Sequence, residues 1–326
     1  MRSFAASCVL AVMAWPAAAG PAASLPPPDW AYPIDPPAAA GAHPDATTPR
    51  HVPGSHASYT DAQIANLFIA PDWHPEDHRP APEVVLHGRP PKVYACGSCH
   101  RMGGSGGPEN AKLAGLPADY IMRQLQDYQH GVRTTAVPTR VPQPFMIRLA
   151  KALTPQDMRA AAAYFSALKP IANIRVVEAA QVPRTHPEGW RLAADEGGAL
   201  QPIGHRIIEL PDAPKDFEHR DSRTTFTAYV PPGSLARGKL LATTGAGGTT
   251  IACVVCHGPQ LQGMATAPPI AGRSPTYLVR QLYEIQAGIR AGADVAPMKI
   301  GIATLSLDDL IAVAAWAASL PPGTRP

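Results

Sequence analysis

The chain has 326 residues, enough for two compact domains with extra segments. Its 39 prolines and 16% charged residues point to long extended connections. A formal net charge of +3 supports no nucleic-acid-binding reading, which needs a concentrated basic surface.

Residues 1–20 read as a secretory signal: Arg2, an apolar run from Phe4 to Trp15, then Ala17-Ala18-Ala19-Gly20. Cleavage is expected between Ala19 and Ala23. An uncleaved anchor is the alternative, but the apolar run is short against the roughly 20 residues a span needs. Residues 21–81 form a Pro-rich arm, expected to be extended with little core of its own. Within it, Thr60-Asp61-Ala62-Gln63 caps a short helix through Ile64, Leu67 and Phe68 that Pro71 ends. His43, His51, His56, His74, His78 and His87 are irregularly spaced and read as surface histidines.

A first domain is expected over 82–170. Pro82-Glu83 opens a short helix to Gly88. Then comes Cys96-Gly97-Ser98-Cys99-His100, a C-x-x-C-H run. Its spacing suits covalent haem attachment. Two thiols three positions apart reach the two vinyl groups of one porphyrin and form thioethers. The adjacent His projects over the ring face toward the iron. A zinc half-site or a redox dithiol are the bland alternatives. A zinc site wants four ligands, whereas the second pair stands 157 residues on with its own His: Cys253-Val254-Val255-Cys256-His257. The fifth cysteine, Cys8, sits in the leader, so no pair is left for a structural disulfide. The Gly-rich turn 103–107 lacks a phosphate-loop ending and reads as a loop.

The frame around each motif repeats. Leu113-Ala114-Gly115, Tyr120-Ile121-Met122-Arg123-Gln124-Leu125 and Gly131-Val132-Arg133 recur as Ile270-Ala271-Gly272, Tyr277-Leu278-Val279-Arg280-Gln281-Leu282 and Gly288-Ile289-Arg290. Each copy holds a helix, from Pro117 to His130 and from Pro275 to Ala287, with Pro at the start and Gly past the end. A loop then ends at Met146 or Met298. Each Met stands eight residues before a capping box, at Thr154 or Ser306, that opens a last apolar helix to Leu168 or Leu320. Met is usually core filler, and Met102, Met122, Met158 and Met264 are read so. Met146 and Met298 recur at one place in the frame, where a thioether can bind the distal side of an iron. The axial set is then His100 with Met146 and His257 with Met298. Such ligation raises the reduction potential.

Between the repeats, 171–231 carries no cysteine. Ile174–Val177 and His205–Leu210 alternate as short strands, and prolines break the rest. This is an irregular, partly β connector packed across both domains. A second domain follows over 232–321, its first helix opening at Gly233-Ser234.

With both copies laid out, the chain resembles the dihaem c-type cytochromes of the cytochrome c4 type, two tandem class I cytochrome c domains. The resemblance covers about 82–170 and 232–321. It implies a mainly α fold with two covalently bound haem c groups held by Cys96, Cys99, Cys253 and Cys256. It implies that Tyr120, Arg123, Tyr277 and Arg280 lie near haem edges. In that family a Pro before the turn often orients the proximal His through its carbonyl. Pro268 fits that position and Ala111 departs from it. The function implied is periplasmic electron transfer between a dehydrogenase or membrane complex and an acceptor such as a terminal oxidase. Peripheral membrane association would come through a partner. The runner-up is a dihaem redox enzyme of the peroxidase or thiosulfate-dehydrogenase type. It needs a displaceable Met, for which the longer loop Val137–Phe145 before Met146 is the candidate. A haem-based gas sensor ranks third, since no signalling domain follows.

Overall fold

A computed structural model describes residues 26–36 and 44–323. The expected leader, Cys8 and His43 lie outside the described residues. Two helical units are joined by a β-containing segment and flanked by the arm.

The first unit contains the helices Glu83–Leu86, Cys96–His100, Ala118–Gln129, Pro142–Ala152 and Pro155–Ala167. Val84, Val85, Ile121, Leu125, Met158 and Phe165 meet in its core. The second unit repeats the order with Ser234–Thr244, Val254–His257, Pro275–Gln286, Ala296–Ile302 and Leu307–Ser319. The two middle helices stop for one reason. Gly131 and Gly288 each take φ +73°, a left-handed turn that costs glycine little.

The last helix of each unit begins with a complete capping box. Thr154 accepts from the Asp157 amide, and Ser306 from the Asp309 amide. Each box aspartate also meets an arginine from elsewhere: Arg89 at 2.7 Å from Asp157, and Arg237 at 2.8 Å from Asp309. The hydrogen bonds from Arg89, aided by Thr154, hold the Asp157 carboxyl below the usual carboxylate range. A depressed folded-state value stabilises the fold above about pH 4, and that contribution disappears as pH falls through the folded value. Arg89→Ala should therefore lower stability at neutral pH, and its difference from the parent should shrink as pH falls through the folded value of Asp157, read by denaturant melts followed by circular dichroism at several pH values.

The connector is ordered throughout. Ile174–Glu178 pairs in parallel with Phe226–Val230, which pairs antiparallel with Ile208–Pro211. Two small hairpins complete it, Gln181–Pro183 with Leu200–Pro202 and Thr185–Glu188 with Arg191–Ala194. Val182, Ile203, Ile208 and Leu210 form its own cluster, while Ile207 and Val230 enter the core of the second unit.

Four expectations are corrected. Met146 and Met298 stand inside the helices Pro142–Ala152 and Ala296–Ile302, not on loops. Prolines in the first turn of each helix made those stretches look irregular. The arm is not bare: Val52, Ile64 and Trp73 make a small core, and Ala31 and Tyr32 are buried against the second unit. The arm helix ends at Ala65, because the Asn66 side chain accepts from the Phe68 amide at 3.0 Å and turns the chain. His74 is buried, hydrogen-bonded to Asp221 at 3.0 Å.

The two units meet through a crossed polar network. Arg133 and Arg290 face each other as an antiparallel bridge. Arg133 donates to Tyr277 and Gln281, and Arg290 donates to Tyr120 and Gln124. Each arginine also reaches the glutamine of its own unit. Lys112 adds a second tie, donating to Asn173 at 2.8 Å and to the Gly272 carbonyl at 3.1 Å.

Candidate metal centres

Each C-x-x-C-H run coils into a short helix, Cys96–His100 or Val254–His257 with Cys253 as its cap. That turn places both thiols and the imidazole on one small element. His100 Nδ1 lies 2.8 Å from the Ala111 carbonyl, and His257 Nδ1 lies 2.8 Å from the Pro268 carbonyl. A carbonyl only accepts, so each Nδ1 carries the proton and each Nε2 keeps its lone pair. Burial also pulls both imidazoles below their ordinary value, which favours the neutral ligating form. Fixing the ring through its far nitrogen is how proteins orient a metal-binding His. Ala111 serves as well as Pro268 because the backbone does the work.

The environment of the first cysteine in each motif runs against redox-dithiol chemistry. Burial pushes Cys96 up to about 12 and Cys253 up to about 11. A reactive dithiol needs the opposite shift. Among the described residues no three His, Cys, Asp or Glu side chains gather at one point. The two cysteine pairs therefore do not share a zinc-type site.

Met146 and Cys96 pack on one hydrophobic cluster, that of the first unit. Met298 and Cys253 pack together on a cluster of the second. Met102 is fully buried, and a Cβ added at Gly97 would meet its sulfur at 2.6 Å. It fills space beneath the motif helix, as Met158 does in the core. Met264 differs from the core reading, being 48% exposed.

The four residues of the Y-x-x-R-Q-L helices separate. Tyr120 and Tyr277 accept from the arginines at the unit boundary, at 2.8 and 3.2 Å. Arg280 is buried and donates to the Ala31 carbonyl at 2.9 Å, clamping the arm, and to the Pro108 carbonyl. Arg123 forms an ion pair across the boundary with Asp294.

Sequence reasoning passed over Arg133 and Arg290, although G-x-R appears in both copies. Both are buried, and the Nε of each has no hydrogen-bond partner. Among the described residues no carboxylate lies within ion-pairing distance of either. Buried cations are ordinarily paired. Arg133 lies close enough to His100 to depress the imidazole further. The donor sets thus fit a haem with acidic side groups: two thiols, an oriented Nε2 lone pair, and buried cations lacking an anion.

Comparisons with known proteins agree with this chemistry. Residues 91–169 match the family model described as Cytochrome c. The chain is 27% identical over 235 residues to a thiosulfate dehydrogenase electron acceptor of Thiomonas intermedia, covering 71% of this chain and 81% of that protein. It is 27% identical over 229 residues to cytochrome c4 of Pseudomonas aeruginosa, covering 69% and 83%. A solved structure of thiosulfate dehydrogenase (TsdBA) from Marichromatium purpuratum aligns at TM-score 0.49 and 28% identity, over 72% of this chain and 38% of that one. Residues 91–169 are thus similar to cytochrome c, and the chain as a whole resembles the relatives named cytochrome c4.

Proposed function

We propose that the chain is a two-centre electron carrier. One haem c would be held by Cys96 and Cys99, with His100 and Met146 as axial ligands. The other would be held by Cys253 and Cys256, with His257 and Met298. When bound, each haem supplies reversible one-electron chemistry. The observation that carries the reading is the duplicated His–carbonyl bond, at 2.8 Å in both copies.

The protein's own residues then have separate tasks. Ala111 and Pro268 fix the two imidazoles through their carbonyls. Arg133 and Arg290 would hold acidic groups at the unit boundary, and Gln124, Gln281, Tyr120 and Tyr277 hold those arginines. The boundary network keeps the two centres in one body. Two relatives are named as electron acceptors of thiosulfate dehydrogenases. That supports a periplasmic dehydrogenase as donor, with a membrane complex or terminal oxidase downstream. An exported chain suits such partners. The enzyme alternative needed Met146 on a loosely held loop. Its place within Pro142–Ala152 favours the carrier reading instead.

The test is carbon monoxide added to the reduced holoprotein while the Soret band is recorded. A carrier with both irons held by His and Met gives an unchanged band. Ready binding at one centre would contradict the reading and turn the search to peroxide and sulfur substrates.

A further inference from the structure

The two attachment motifs are not equally accessible. Around the first, two segments outside the repeats form a cover. From the arm, the Leu67 carbonyl accepts from the Ala95 amide at 2.9 Å, and Ala70 donates to the Leu86 carbonyl at 2.9 Å. Phe68 packs on Tyr94 at 5.0 Å between ring centres, and Tyr94 on Phe145 at 5.8 Å. From the connector, Arg220 donates to the Ser98 carbonyl at 2.5 Å, in the middle of the motif. Its guanidinium also lies close enough to act on the Cys99 thiol. Next to it, Phe217 sits under Arg101 at 4.6 Å, and its carbonyl accepts from that arginine. Ser98 is left 3% exposed.

At the second motif the arm packs on the Cys253 side, through Trp30, Ala31 and Tyr32, and leaves the Val255 side open. Val255, the counterpart of Ser98, is 60% exposed. Ile251, the counterpart of Tyr94, is 53% exposed, and Ile300 is 74% exposed. These residues share a neighbourhood. Thr250 donates to the Gly301 carbonyl at 2.5 Å, and a Cβ at Gly301 would lie 3.6 Å from Ile251. The loop entering the second motif is thus packed on the helix that carries Met298 and Ile300. Ile251 and Ile300 are thus exposed on neighbouring segments, and Val255 is exposed next to Cys256 in the chain, itself exposed. Large apolar side chains exposed on adjoining segments of one domain mark interaction sites.

Charge narrows the occupant. From 232 to 306, Arg237 and Asp294 are paired, and Arg273, Arg280, Glu284 and Arg290 are buried. The remaining charges, Lys239 and Lys299, are exposed and enter none of the ion pairs found among the described residues. Lys299 adjoins Ile300 in the chain.

We infer that the exchange of electrons with an outside redox protein takes place at the second domain, on the face formed by Ile251, Val255 and Ile300. The partner presents an apolar centre with an acidic rim. The first centre is sealed by the arm and the connector and is reached through the second, across the Arg133–Arg290 boundary. This inference rests on the carrier reading.

The test is stopped-flow oxidation of the reduced holoprotein by an acidic blue-copper protein, with hexacyanoferrate(III) as a small acceptor. Ile251→Glu combined with Ile300→Glu should slow the protein reaction at least tenfold, with haem content and visible spectrum unchanged. Lys299→Glu should also slow it and weaken its dependence on salt. Arg220→Ala, which opens the first motif, should leave the slow rate of the patch variant in place. A patch variant within twofold of the parent overturns the inference. So does recovery of the rate on adding Arg220→Ala. A parent that gives electrons to neither acceptor overturns the carrier reading itself.

Discussion

Gly238→Ala should lower the melting temperature of the holoprotein by about 5–10 °C. A Cβ at this position would stand 2.0 Å from the Ala312 carbonyl oxygen and 2.6 Å from its carbon. Both obstacles are backbone, in the middle of Leu307–Ser319, so no side chain can swing away. The two helices must separate, in a core where Leu241, Ala242, Val313 and Ala314 are buried. Overpacking costs typically 1–3 kcal/mol, and a backbone collision belongs at the upper end. Alanine's better helix propensity returns up to about 1 kcal/mol. About 2 kcal/mol remains; at about 2–4 °C per kcal/mol for a chain of 150–250 residues and about 4–8 °C for a unit of 60–100, a fall of about 5–10 °C lies between the two limits. Gly301→Ala is the matched control. Its added carbon meets Ile251 at 3.6 Å, an ordinary contact, inside a helix of the same unit. It should be neutral or slightly stabilising. Thermal melts of both variants decide the point.

Replacing Cys253 and Cys256 together with alanine should halve the covalent haem content while the first domain keeps its own. Each motif is a self-contained turn with its own oriented His, and no metal-ligating group joins the two. The loss should therefore be confined to one centre. The same exchange at Cys96 and Cys99 should give the mirror result. The effect is all or none, because a thioether cannot form without its thiol. Haem-stained denaturing gels and pyridine haemochrome spectra measure it.

What the residues disclosed beforehand was local. The two C-x-x-C-H runs, the capping boxes at Thr154 and Ser306, and the helix ends at Gly131 and Gly288 are short-range signals, and each is written in a few neighbouring residues. Pro142, Pro144 and Pro297 misled, since proline in a first helical turn looks like proline in a loop. The pattern therefore points to loops at Met146 and Met298, although both are helical. The contacts that make the molecule asymmetric were not legible at all. Arg220 reaches Ser98 from 122 positions away, and Arg280 reaches Ala31 from 249. The crossing of Arg133 to Tyr277 and of Arg290 to Tyr120 is also silent in the repeat, because either copy could have closed on itself. His74 is indistinguishable in sequence from the surface histidines around it, because its partner Asp221 lies 147 positions away.

The central claim is that both motifs carry covalent haem. The most direct measurement is the haem count of the purified, denatured chain, by pyridine haemochrome spectrum against protein concentration and by intact mass. The account predicts two haems per chain that survive denaturation. A count of one would remove one centre and the two-step route with it. A count of zero, with four titratable thiols, would contradict the account at its base.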